Sequence, residues 1–360
     1  MAQINNNKKW QLKESDFGPL LPYIIDDNVT DINFNGTDVW IDDLTKGRYK
    51  TNLVLSESFL NQFSVRISDL VNVAFNDYHV LLEAETDTLR ISIVHPAVCN
   101  TGMSISIRKT PIVKRLYTKK ILETNYCSKE MLDLLRHCID GKMNMMMCGL
   151  PGTGKTELLK YLTGYIPDNE RVITIEDNLE LHYAEINPGK DCVEMKVQNS
   201  STDKTQKFDY IMAIKACLRQ NPQWILLSEA RSTEVKYLIE SMSTGTHCLT
   251  TIHTDDVRKV PDRIKNMIHD SSVTAQVEND VFSFLDVAVL IKKKFADGQI
   301  IRYIDQIAFF SREEKDGKSV NEIKLIADEG RIIDKNIPLQ VMKKFQASGV
   351  SNPFADYEKK

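Results

Sequence analysis

The chain has 360 residues, 42% hydrophobic and 27% charged, with a net charge of −4. This length favours two globular domains over one, and the balance is ordinary for a folded protein, with no general drive toward nucleic acid or anionic lipid. No apolar run approaches the roughly 18 residues of a membrane-spanning helix.

The opening stretch, Met1 to Trp10, is polar and has no apolar segment of the signal-peptide kind. The expected location is therefore the cytoplasm, with room for docking on a membrane machine. The seven cysteines are odd in number and form no C-x-x-C pair. That argues against a disulfide framework and a four-cysteine zinc site, and for reduced, mostly buried thiols.

Residues 1–109 read as an α+β domain. Ile32 to Phe34 and Val39 to Ile41 alternate around Asn35-Gly36, a hairpin signal. Phe59 to Phe75 reads as an amphipathic helix with Phe63, Ile67 and Leu70 on one face, and Leu89–Val94 and Met103–Arg108 alternate as strands. Residues 110–127 crowd Lys114, Arg115, Lys119 and Lys120 after Pro111, which predicts a basic linker.

From 128 to 300, apolar runs alternate with helical patterns, which predicts an α/β domain with a parallel sheet covered on both faces. The runs are Met143–Cys148, Val172–Ile175, Trp224–Leu227 and Cys248–Ile252, with Leu285–Ile291 extending the sheet. Helices are expected at 130–140, 209–218 and 233–244. Residues 301–360 predict a small β-rich extension. Its strands are 300–304, 307–310 and 322–326, with a turn at Lys315-Asp-Gly-Lys318 and a short helix near Leu339–Phe345.

The first parallel run leads into Gly149-Leu-Pro151-Gly152-Thr153-Gly154-Lys155-Thr156, a match to G-x-x-x-x-G-K-[ST]. In such a loop the glycines let backbone N–H groups turn onto phosphates. Lys155 then reaches the β- and γ-phosphates, and the Thr156 hydroxyl ligates Mg²⁺. Glu157-Leu-Leu-Lys-Tyr-Leu162 continues it as a helix. ATP and Mg²⁺ are thus the expected ligands.

Ligands of open α/β sheets bind beyond the carboxyl ends of the strands. There the other runs end in Glu176-Asp177, in Ser228-Glu229 and in His253. Glu176 and Glu229 are candidates to orient water and hold the metal, with Asp177 in support. His253 is a candidate γ-phosphate sensor or partner of a catalytic carboxylate. Arg219 and Arg231 flank the third run, and Arg90 and Arg108 lie in the first domain. Each is a candidate for the positive charge that phosphoryl transfer needs. His182 and His247 read as structural.

With these residues the sequence resembles the secretion-superfamily traffic ATPases, which power type II and type IV secretion, conjugation and type IV pili. The resemblance runs from Asp31 to Tyr303 and carries four motifs in family order. They are the phosphate loop at 149–156, the Asp box Ile173-Thr-Ile-Glu176-Asp177, the Walker B segment Ile225-Leu-Leu-Ser-Glu229-Ala-Arg231, and the His box Thr244 to His253.

It implies a RecA-like P-loop ATPase domain and a homo-hexameric ring on the cytoplasmic face of the membrane, working with inner-membrane components. It also implies Glu176 and Glu229 as the catalytic pair, with Arg90 and Arg108 directed at the nucleotide. Absence of paired C-x-x-C motifs suits the type IV secretion or tight-adherence branch. Ser228 before the Walker B acid, Thr246 after the His-box glycine and Gln223 depart from the family pattern. The alternative is a RecA-type translocase acting directly on DNA, which the net acidity opposes. Sequence-specific nucleic-acid binding is not expected.

Overall fold

The computed structural model describes residues 12–198, 208–268 and 274–358. The chain divides into two compact units. The first comprises the described residues up to Pro111 together with Phe295–Ile301, and the second comprises Ile112–Lys294 and the residues from Arg302 onward.

The first unit contains α1 (Leu21–Ile25), β1 (Val29–Phe34), β2 (Val39–Asp43), β3 (Gly47–Lys50), α2 (Glu57–Val71), β4 (Leu81–Glu85), β5 (Leu89–Val94) and β6 (Ser104–Lys109). Its strands pair antiparallel in the order β3-β2-β1-β6-β5-β4. The Asn35-Gly36 hairpin forms as expected. The Asn35 side chain accepts the N–H groups of Thr37 and Asp38 at 3.1 and 2.8 Å, and Gly36 has φ 100°.

Alternation then fixes the faces of the sheet. Ile32, Ile41, Ile91, Ile93, Ile105 and Ile107 turn inward onto Phe63 and Ile67 of α2. The other face carries a transverse charged row in which Asp42, Asp31, Arg108, Arg90 and Glu85 stand opposite one another on successive strands.

The second unit begins with α3 (Thr118–Glu123) and α4 (Lys129–Asp140). Alternation follows with β7 (Met145–Cys148), α5 (Lys155–Thr163), β8 (Val172–Glu176), α6 (Tyr183–Ile186), β9 (Cys192–Lys196), α7 (Tyr210–Cys217), β10 (Trp224–Leu227), α8 (Glu234–Ser243) and β11 (His247–Ile252). After α9 (Val260–Met267) and α10 (Thr274–Phe284) come β12 (Val287–Ala296), β13 (Gln299–Lys315), β14 (Lys318–Asp328), β15 (Arg331–Ile332) and α11 (Leu339–Ala347).

These strands form one sheet of nine, in the order β15-β14-β13-β12-β7-β11-β10-β8-β9. From β12 to β9 the pairings are parallel. The inner parallel strands β7, β8, β10 and β11 are buried on both faces, which is why they read as unbroken apolar runs. In β7, Met145 and Met147 join the core under α4 and α5, while Met146 and Cys148 join the core on the opposite face, with residues of α7 and α8.

The residues expected as a linker fall within this unit from Ile112 onward. Lys114 Nζ donates to Asn187 Oδ1 at 2.9 Å, and the Arg115 N–H donates to Glu157 at 3.1 Å. The C-terminal strands extend the large sheet beyond β12. The stretches expected as two strands, 300–304 and 307–310, are one strand, β13. The polar pair Asp305-Gln306, buried within the strand, interrupts the apolar pattern there.

Candidate active site

Strand β7 is flanked by β11 and β12, whereas the next strand in sequence, β8, lies two places beyond β11. The chain thus leaves β7 at a point where strand order switches, where open α/β sheets leave a crevice. The phosphate loop occupies it. Gly149, Gly152 and Gly154 have φ values of 153°, 73° and 94°. A Cβ on Gly149 would lie 2.4 Å from Thr153 Oγ1 and 2.6 Å from the Ile291 carbonyl, so no larger residue fits.

Gly154 in the left-handed region opens α5, placing Lys155 and Thr156 in its first turn. Free N–H groups and the positive end of a helix dipole then face the loop. This cradle, with a buried lysine inside it, fits a nucleotide polyphosphate.

Lys155 Nζ donates to the carbonyls of Gly149 and Leu150 at 3.0 and 3.4 Å and stands 3.2 Å from His253 Nδ1. The same ring nitrogen also stands 3.2 Å from the Gly149 carbonyl. His253 Nε2 lies 3.0 Å from Glu229 Oε1. Burial, and then the Lys155 charge, hold the His253 pKa below its usual value. Burial also lowers the Lys155 pKa, against the pull of Glu229. Glu229 Oε2 pairs with Arg231 at 2.9 Å, and Arg231 pairs in turn with Asp177. One chain of contacts thus joins residues from the ends of β7, β11, β10 and β8.

Glu176 does not join this chain, contrary to expectation. It is fully buried, and its Oε2 accepts the N–H groups of Glu180 and Leu181 at 2.9 and 3.0 Å. Its Oε1 has no hydrogen-bond partner. Burial pushes its pKa up to about 8. The carboxyl turns inward because the loop after β8 folds back over it.

That fold-back brings Glu180, which sequence reading missed, to the Thr156 hydroxyl, at 3.4 Å between Oγ1 and Oε2. Its signal was a second acid four residues after Glu176, in a stretch with no periodicity. Asp177 is positioned through its own N–H, which donates to the Tyr210 hydroxyl at 3.1 Å.

The remaining expected residues are placed as follows. The Thr153 hydroxyl bonds back to the Leu150 carbonyl at 2.9 Å. Glu157 faces Arg115, with 3.6 Å between the charged groups. The Pro151 and Gly152 carbonyls accept from Lys293 and Arg302, two further residues missed from sequence. Arg90 and Arg108 sit opposite each other on β5 and β6, and Arg108 pairs with Asp31 at 2.8 Å. The His247 ring lies 5.2 Å from that of Trp224. No helix among the described residues is long and apolar enough to cross a membrane.

Comparison with known proteins gives the family and the fold. An uncharacterized protein of Bacillus anthracis, pXO2-25, is 28% identical over 79% of this chain and 66% of its own length. The type IV secretion system protein VirB11 of Bartonella quintana is 29% identical over 48% of this chain and 49% of its own length. The match therefore spans about half to two thirds of these relatives. The crystal structure of the Yersinia pseudotuberculosis ATPase DotB shares the fold, with a TM-score of 0.62 at 16% identity over 83% of this chain and 80% of that one. The family model described as "Type II/IV secretion system protein" matches residues 76–292, from just before β4 to the middle of β12, and the chain belongs to that family.

Proposed function

We propose that this protein is an ATP-hydrolysing motor subunit that energises a secretion, conjugation or pilus-assembly machine. The observation that carries the reading is the contact chain from Lys155 through His253 to Glu229 beside the phosphate loop. It joins a phosphate-binding lysine to a carboxylate at the ligand-binding edge of the sheet.

In this reading the loop N–H groups and Lys155 bind the β- and γ-phosphates of ATP. Water attacks the γ-phosphorus, the bond to the β-phosphate oxygen breaks, and ADP and phosphate leave. Glu229 orients the water and takes its proton. Its ion pair with Arg231 fixes one oxygen, and the neutral His253 fixes the other. Phosphoryl transfer needs positioning and charge neutralisation above all, which suits a site made of pre-aligned polar contacts. Mg²⁺, when bound, neutralises phosphate charge. Thr156, Glu229 and Asp177 would hold the ion. Glu180 beside Thr156 is a third acid for that shell. Glu176 serves by holding the loop that carries Glu180.

Arg90 and Arg108 are proposed to supply charge to the nucleotide. The proposed assembly is a homo-hexamer on the cytoplasmic face of the membrane, bound to inner-membrane components of a type IV secretion or tight-adherence system. Family membership and the VirB11 relative support this. The test is phosphate release by the purified chain with MgATP, with mass measurement in a non-hydrolysable analogue. A wild-type chain that binds ATP and never releases phosphate would contradict the motor reading.

A further inference from the structure

Two cations reach the phosphate loop from a single hairpin. Strands β12 and β13 meet at Asp297-Gly298, both left-handed, and the two strands carry Lys293 and Arg302. Lys293 Nζ donates to the Pro151 carbonyl at 3.2 Å, and Arg302 Nε donates to the Gly152 carbonyl at 3.1 Å. They stand 142 and 150 residues from their partners in sequence, so no local motif announces them.

The geometry of the peptide unit gives these contacts a consequence. In a trans peptide the C=O and the N–H of the following residue point opposite ways. Holding the carbonyls of Pro151 and Gly152 toward the hairpin turns the N–H groups of Gly152 and Thr153 away from it. The Thr153 N–H is already engaged inside the loop, with the Leu150 carbonyl at 3.3 Å.

The glycines leave room for this clasp. A Cβ on Gly152 would come within 3.2 Å of Lys293 Nζ, and one on Gly154 within 3.6 Å of Arg302 Cδ. The two contacts are not equal. Lys293 is exposed, where a flexible ammonium contributes little. Arg302 is half-buried, with Tyr126, Arg115 and Glu157 in electrostatic reach, so its planar donor is held in place.

We propose that Arg302, assisted by Lys293, is a positioning residue for nucleotide binding. It clasps the outer carbonyls of the phosphate loop and holds the loop in its anion-binding shape. The proposal rests on the nucleotide-binding reading above.

The experiment is calorimetric titration of the full chain with MgADP, for wild type, Lys293→Met, Arg302→Met and Arg302→Lys, each with its unliganded Tm. Arg302→Met is expected to weaken MgADP binding about tenfold and Lys293→Met about two- to threefold. Arg302→Lys, which restores a cationic donor, is expected to recover part of the loss. In turnover, KM for ATP rises and kcat at saturation is retained. Unliganded Tm stays within about 2 °C of wild type in each variant. If Arg302→Met lowers Tm sharply, Arg302→Gln replaces it in the same titration.

Affinity in Arg302→Met, or in its Gln replacement, equal to that of a binding-competent wild type overturns the proposal. So does a loss in Arg302→Lys as large as in Arg302→Met. A wild type that fails to bind MgADP overturns the nucleotide reading instead, a result distinguishable from either of these.

Discussion

Glu229 Oε1 lies 3.0 Å from His253 Nε2, and the opposite nitrogen of that ring faces Lys155 at 3.2 Å. A neutral imidazole thus bridges a cation and an anion. The ring links the lysine of the phosphate loop to the carboxylate at the end of β10.

Removing Lys155 tests one end of that bridge. Lys155→Ala is expected to abolish detectable phosphate release and to weaken nucleotide binding by at least about tenfold, because a buried charged donor is lost. Equilibrium binding of a fluorescent ADP analogue checks it. Unchanged affinity would remove Lys155 from the phosphate site.

The histidine makes the bridge sensitive to acid. Its pKa is held below the ordinary 6.5 by burial and by Lys155. Below 6.5 the unfolded chain takes up a proton that the folded chain refuses, so stability falls as pH drops through that value. Protonation also sets two cations face to face. Wild type is expected to lose turnover and Tm as pH falls below about 6.5, and His253→Gln is expected to show a flatter Tm profile. A stability profile with the same acid slope in the variant would contradict the assignment.

Glu176 has the opposite sign. Its pKa is raised from 4.5 to about 8 by burial. Its contribution to stability is fully present below 4.5 and is lost as pH rises toward 8. Glu176→Gln, neutral at every pH and still able to accept both loop N–H groups, is expected to raise Tm at pH 9 by at least about 3 °C. At pH 4.5 the difference should vanish. A variant less stable than wild type at pH 9 would show that the ionised carboxylate is the stabilising form.

Arg90 faces Arg108 across β5 and β6. Like charges directly opposite cost stability, offset here by Glu85 and Asp31 at the ends of the row. Arg90→Ala is therefore expected to leave Tm nearly unchanged while lowering turnover at least about tenfold. Steady-state phosphate release beside a melting curve decides it, and an unchanged rate would make Arg90 a solvated surface residue.

Much of this was legible in sequence because the central parallel strands are buried on both faces. Such strands read as apolar runs, and their polar ends mark the site. The strands that escaped reading, β3, β4, β9 and β15, are the four edges of the two sheets. Edge strands are short and carry charge, as in Arg48, Glu83 and Lys196, which erases the alternation that periodicity relies on. The phosphate loop, Glu229 and His253 were found because each follows an apolar run. Glu180, Lys293 and Arg302 were not, since their roles arise from loop return and from pairing across more than a hundred residues. The inward turn of Glu176 was equally invisible, because residue type and position do not fix which way a carboxyl folds.

The most direct measurement is MgATP binding and phosphate release by Glu229→Gln in parallel with wild type. Affinity within about threefold of wild type and release slowed at least about 100-fold are the predicted results, since the isosteric amide keeps the shape of the side chain and one acceptor oxygen and loses the base. Phosphate release near the wild-type rate would contradict the account.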